Sequence, residues 1–325
     1  MRRLPVLVLA LAAAAVAAGA ASASQLIDRN ARDVRLAVNA KGEALLTYRV
    51  GSVTKHVLLW GAINARQPAE GQQQVKFKVD YSGGWGKYHH KYPAYWKTNF
   101  GNRCGGYDGP GLSFFVTGCH APDGSLWAVQ SWQTPLPDLG FTPWQADLAA
   151  YELHVSHWTG SIAKLEVWTD WIYGGRFHDL FGRATYLDRP VYGFGTTKVG
   201  APTEGFGRLI YLDTLDAPAY GPGWRRENSF VPHNPTGVFC YGFYIFDPTK
   251  GGYIHPPGQT GMRGPGVGSQ YRLVLDGPGV TPDVSVTAQD PGDYNAQDPD
   301  KVAYEKQQNA LLDSILNGDK LCRQH

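Results

Sequence analysis

From Val34 onward the chain alternates, with Val34, Leu36 and Val38 apolar and Arg35, Ala37 and Asn39 small or polar between them. A period of two is the spacing of a strand with one buried face. Ala40-Lys41-Gly42 interrupts it as a turn and Glu43 to Val50 returns. Gly51-Ser52 then turns again and Val53 to Trp60 follows, so this part of the chain predicts an antiparallel meander. Further strands are predicted at Val75–Tyr81, Leu112–Thr117, Ser125–Gln133, Arg208–Asp213, Val238–Phe246 and Tyr271–Leu275, with Pro122-Asp123-Gly124 as a hairpin turn between two of them.

Ala150 to Trp171 reads as two strands around Thr159-Gly160-Ser161. With a three-residue loop, Trp158 faces Ile162, 154 faces 166 and 152 faces 168. One face then carries Glu152, His154, Ser156, Lys164, Glu166, Trp168 and Asp170, and the other carries Tyr151, Leu153, Val155, Ala163, Leu165 and Val167. A one-residue slip would invert one strand's faces, so this segregation selects the three-residue register. The polar face is either the solvent side of a sheet, with His154–Glu166 as an ordinary cross-strand pair, or the lining of a groove. In the groove, Glu152 as general acid, Glu166 as nucleophile or base and Asp170 as modulator would act on a glycosidic bond beside Trp168 and His154.

Three stretches rich in Gly, Pro and aromatics separate the strands: Ser82–Asn102, Tyr220–Pro235 and Ile254–Gly268. Loops this long are uncommon unless they are functional or held by their own packing. They carry Trp85, Tyr88, Tyr92, Tyr95, Trp96 and Trp224, which either cover the ends of the core or present rings to a ligand. The C-terminal part differs. Asp298-Pro299 has the pattern of a helix N-cap, Val302 to Asn317 contains no Pro or Gly, and Leu311, Leu312, Ile315 and Leu316 recur at helical spacing before Gly318. The fold class expected is all-β, a two-sheet sandwich or jelly roll with long aromatic-rich loops and one C-terminal helix.

The N-terminus changes the setting. Met1-Arg2-Arg3 is followed by an uncharged, Ala-rich run to Ala20 and by Ala21-Ser22-Ala23, the layout of a cleavable secretory signal over residues 1–23 with Ser24 as the first mature residue. The run is too weakly apolar for a retained span, and no later segment is long and apolar enough to cross a bilayer. The Ala-rich leader has a bacterial look. Residues 24–289 then form a β-rich domain and residues 290–325 an acidic linker and docked helix. Removing the leader lowers the basic count from 30 to 28, against 28 acids. A balanced chain has no polyelectrolyte drive toward nucleic acid or anionic lipid.

Four cysteines in an exported chain suggest two disulfides, Cys104–Cys119 and Cys240–Cys322. In the chain-entropy account the first closure contributes about 3 kcal/mol and the second, with its longer loop, about 4.5 kcal/mol. No metal or cofactor motif stands out: His154 and His157 face opposite ways on a strand, and His89-His90 has no acid or Cys beside it. The sequence therefore leaves its status as an enzyme open between three readings. The leading one is a secreted binding protein for extracellular or cell-wall polysaccharide, with Trp85, Tyr88, Trp96, Trp224, Trp168 and His154 as ligand contacts. The others are a glycoside hydrolase using the 150–171 carboxylates and a structural or interaction protein of the envelope.

Overall fold

The computed structural model describes residues 24–65, 74–135, 150–172, 177–191, 195–196, 202–204, 208–216, 222–230, 238–245, 268–276, 279–290 and 292–316. Residues 1–23, expected as a secretory leader, and Cys322, with the disulfide expected to it, lie outside them. Among the described residues the structure is mostly β, with four antiparallel sheets and two helices. No helix among the described residues is long and apolar enough to cross a membrane.

Two four-stranded sheets make a sandwich. One has the order β1-β8-β7-β6, built from β1 (Gln25–Arg29), β6 (Phe115–His120), β7 (Leu126–Gln133) and β8 (Tyr151–Trp158). The other is the predicted meander, β2 (Arg32–Val38), β3 (Ala44–Val50), β4 (Val53–Trp60) and β5 (Lys78–Asp80), in sequence order. Leu46, Tyr48, Val57 and Leu59 from the meander pack against Ile27, Trp127, Val129, Leu153 and Val155 from the first sheet. The β6–β7 turn is the predicted one: the amide of Ser125 donates to Asp123 Oδ1 at 3.0 Å. Cys104 and Cys119 are bonded, with Cα atoms 5.5 Å apart, and Cys119 is part of this core.

A second core lies within a larger sheet of order β11-β10-β16-β15-β14-β17-β18, with β9 on the other side of β10. Its strands are β9 (Lys164–Ile172), β10 (Phe177–Tyr186), β11 (Arg189–Pro190), β14 (Ile210–Leu215), β15 (Trp224–Phe230), β16 (Val238–Ile245), β17 (Gln270–Leu275) and β18 (Val284–Gln289). The two-residue strands β12 (Gly195–Thr196) and β13 (Pro202–Thr203) pair separately. The sheet curls until its edge strands β9 and β18 approach each other, enclosing Leu165, Leu180, Ile210, Leu212, Leu273 and Leu275. A short helix α1 (Tyr95–Thr98) sits in the first aromatic loop, and α2 (Pro299–Leu316) packs on β9. Asp298 caps α2 through Oδ1, which accepts the amide of Asp300 at 3.0 Å. Of the expected stripe only the Leu311 side chain is described, and it is exposed, while Glu305, bonded to the Tyr294 hydroxyl, is buried.

Two expectations are corrected. The 150–171 hairpin does not form: β8 pairs with β1 and β7, and β9 pairs with β10. Leu153 and Val155 enter one core and Leu165 the other, but the polar positions His154 and Ser156 are each only 1% exposed, so both faces of β8 are covered rather than one facing solvent or a groove. Alternation separates the two faces but does not say which strand lies alongside or whether the polar face is open. The second correction concerns Tyr220–Pro235, expected as a loop, which contains β15. Trp224 on it is buried beneath the Arg272 guanidinium, 4.5 Å from the ring centroid.

His157 shows how closely the first core is packed. Its ring stacks on Trp127 at 3.8 Å, with Nε2 2.7 Å from Ser125 Oγ and Nδ1 on the Ala62 carbonyl. Burial outweighs the Ala62 carbonyl and the Asp123 charge and pulls its pKa from 6.5 down to about 4. The neutral ring is therefore the folded form, and the unfolded chain binds the extra proton between these values. Stability is fully present above pH 6.5 and falls as pH drops toward 4, by roughly 3 kcal/mol from this residue. Urea midpoints measured across that window should fall steeply for the native protein and less steeply for His157→Gln.

Candidate functional site

The outer face of the meander is covered as well as its inner one. Leu45 and Leu58 point away from the sandwich core and pack with buried Tyr95, around which lie Ala37, Trp60, Tyr88, Trp96 and Phe100. The aromatic loop 82–102 thus lies against the sheet through its own rings. Gly83 and Gly84 allow this approach: both have positive φ, and a Cβ would meet Trp96 at 2.8 Å and Tyr95 at 2.7 Å respectively. The loop's entry is fixed by Asp80, whose Oδ1 accepts the Ser82 amide at 2.9 Å and whose Oδ2 accepts the Lys87 amide at 2.7 Å.

Its anchor is Glu43. This carboxylate, at the start of the β3 segment and 1% exposed, accepts the Tyr88 hydroxyl at 2.5 Å, the Tyr95 hydroxyl at 2.9 Å and the Asn39 amide at 2.6 Å, and pairs with Lys87. Burial alone would raise its pKa. The four donors outweigh that and hold it at about 2, so the group is charged at neutral pH. The same contact, with burial, pushes the Tyr88 phenol upward. Lys87 also lies 4.3 Å from the Trp60 ring centroid.

Above this anchor the loop presents rings. Trp85, Tyr88 and Trp96 are half-buried, Tyr92 is 42% exposed, and Tyr81 at the end of β5 is 60% exposed. Each half-buried ring is set by a neighbour: Trp96 stacks on His56 at 3.6 Å, Trp85 meets His90 edge-on at 4.7 Å, and Tyr88 contacts Tyr92 at 5.6 Å. Lys41, from the β2–β3 turn, sits 5.4 Å from the Tyr88 centroid. Such a surface offers planar apolar faces with fixed orientation and polar rims, and little entropy remains to be lost when something flat stacks on it.

The structure packs Tyr88 and Trp96 into one cluster, sets Trp85 against His90 in the same loop, and places Trp224 elsewhere, buried in the larger sheet. The carboxylates expected on one hairpin lie in different sheets. Glu152 is bound by Arg29 at 2.7 Å and lies 3.3 Å from His154 Nε2. Burial raises its pKa, but His154 and Arg29 together lower it to about 2, the opposite of what a general acid requires. His154 is 1% exposed, stacked on Trp132, with Nδ1 2.9 Å from a Ser24 hydroxyl that donates to Asp283. Glu166 is bound by Arg183 at 2.6 Å. The side chains of Trp168, Asp170 and Cys240 lie outside the described residues. Sequence reading missed Glu43, Lys41, Lys87, Tyr81 and His56, because their neighbours at the site come from distant parts of the chain.

Elsewhere, a pocket of about 460 Å³ lies between segments 110–113, 160–165 and 283–286, with Ser113, Lys164, Asp283 and Ser285 among its lining residues. Asp276 is buried, and burial together with the charge of Asp283, which lines this pocket, pushes its pKa well up. Among the described residues no group of three or more His, Cys, Asp or Glu side chains could hold a metal ion. No protein-family model matches the chain, and neither a curated protein nor a solved structure matches it significantly.

Proposed function

We propose that the protein is a non-catalytic binding protein for extracellular or cell-wall glycan, and that the sugar stacks on the aromatic loop 82–102. The observation carrying this reading is that Trp85, Tyr88, Trp96 and Tyr92 are neither buried core nor free side chains. They are part-exposed rings: Tyr88 is held by Glu43, Tyr92 and Trp96 lie against Tyr95 and His56 on the sandwich, and Trp85 is set against His90 in the same loop. Pyranose rings have apolar CH faces that stack on such surfaces while their hydroxyls stay in contact with polar rims. The signal-like leader and the Cys104–Cys119 disulfide support an oxidising location outside the cytoplasm.

The test is retention on immobilised polysaccharides, comparing the native chain with Trp85→Ala and Tyr92→Ala. Each substitution should weaken binding by about tenfold, or ~1.4 kcal/mol, without moving the thermal midpoint by more than a few degrees. If both variants bind every retained polysaccharide as tightly as the native protein, the loop is only a cover for the meander.

A further inference from the structure

We infer that the glycan recognised by the aromatic loop is an acidic one, a polysaccharide carrying carboxylates such as uronic acids. The inference rests on the glycan reading above and adds the ligand's charge. Residues 82–102 contain Lys87, His89, His90, Lys91 and Lys97 and no Asp or Glu at all. Lys91, Lys97, His89 and His90 are exposed, as is Lys41 where it reaches over the loop's tyrosines. The platform is therefore fringed with cations, although the mature chain as a whole is balanced.

The acids nearby do not cancel that fringe. Glu43 lies beneath the rings and is occupied by Lys87, two phenols and an amide. Asp80 is buried and spends its oxygens on Ser82 and on the Lys87 amide. Around the loop, four lysines (Lys41, Lys87, Lys91 and Lys97) stand against these two buried carboxylates. The three exposed lysines enter no ion pair among the described residues, whereas Arg29, Lys55 and Arg183 elsewhere on the molecule each have a carboxylate. A neutral sugar takes only hydrogen bonds to its hydroxyls from lysines placed beside stacking rings, and leaves their charge uncompensated. A uronate places one carboxylate on each stacked pyranose, so one ligand would engage both features.

The experiment uses the full mature chain and two probe pairs: polygalacturonate and alginate, each native and fully methyl-esterified. Esterification removes the charge and keeps the sugar. The inference predicts that at least one native polyuronate binds and its ester binds at least tenfold more weakly. The triple variant Lys41→Gln/Lys91→Gln/Lys97→Gln should lose roughly tenfold in affinity for the acidic form at low salt. That difference should vanish near 1 M salt, where the screening length is about 3 Å. Binding of the ester should fall by much less than binding of the acidic form in the variant.

Equal affinity for charged and esterified polymer, or failure of both native polyuronates to bind while a neutral polysaccharide is retained, overturns the acidic ligand and leaves the glycan reading standing. Failure of every polysaccharide overturns that reading itself. A single-stranded oligonucleotide that binds as tightly as the polyuronates would also overturn the inference, since rings and lysines would then be serving nucleic acid.

Discussion

Glu43→Ala is expected to destabilise the protein by about 3–5 kcal/mol, the usual cost of leaving the partners of a buried charge uncompensated. The substitution strands the Lys87 ammonium, the Tyr88 and Tyr95 hydroxyls and the Asn39 amide at a position that is 1% exposed. The acid dependence agrees in sign and size. A carboxyl near 4.5 when unfolded and about 2 when folded contributes stability that is fully present above pH 4.5 and lost as pH falls toward 2, by roughly 3 kcal/mol in total. Beyond stability, the variant should release the aromatic loop, so near-ultraviolet circular dichroism and glycan retention should fall together. Denaturant titration gives the free energy. A loss below 1 kcal/mol with the near-ultraviolet signal intact would mean that the rings hold themselves in place.

Arg272→Met should be comparably severe, about 3–5 kcal/mol. Arg272 is 1% exposed and Asp213 fully buried, with nitrogen and oxygen 2.8 Å apart, and Arg226 reaches the other Asp213 oxygen at 2.7 Å. Arg272 also donates to the Gln133 carbonyl at 3.1 Å, joining the larger sheet to β7 of the sandwich. Removing it leaves Asp213 to Arg226 alone in a site with little water. Adding Asp213→Asn should restore part of the loss, because the buried charge is then removed along with its partner. Sub-additive free energies in the double-mutant cycle are the expected result, and simple additivity would show that the pair is energetically independent.

Much of this architecture was legible where the physics is local. The meander followed from alternation and two turns, the β6–β7 hairpin from Pro122-Asp123-Gly124, the α2 cap from Asp298-Pro299, and one disulfide from a short spacing between cysteines. The failures were non-local. Nothing in residues 150–171 tells β8 that its neighbours are β1 and β7 rather than β9, since each pairing buries the same aliphatic face. Trp224 looked like a loop aromatic because Gly and Pro surround it, but a buried Arg272 from a distant strand supplies its contact. The aromatic cluster was visible as composition. Its anchor was not, since Glu43 and Tyr88 are 45 residues apart and meet only when the loop folds back on the sheet.

If the loop 82–102, held on Glu43, is the surface a glycan occupies, hydrogen exchange of the protein with and without a retained polysaccharide locates the ligand there. Slowed exchange should be confined to residues 81–98 and the Lys41 turn, with the two cores unchanged. Protection appearing instead at 110–113, 160–165 and 283–286, around the pocket of about 460 Å³, would place the ligand there and contradict the account.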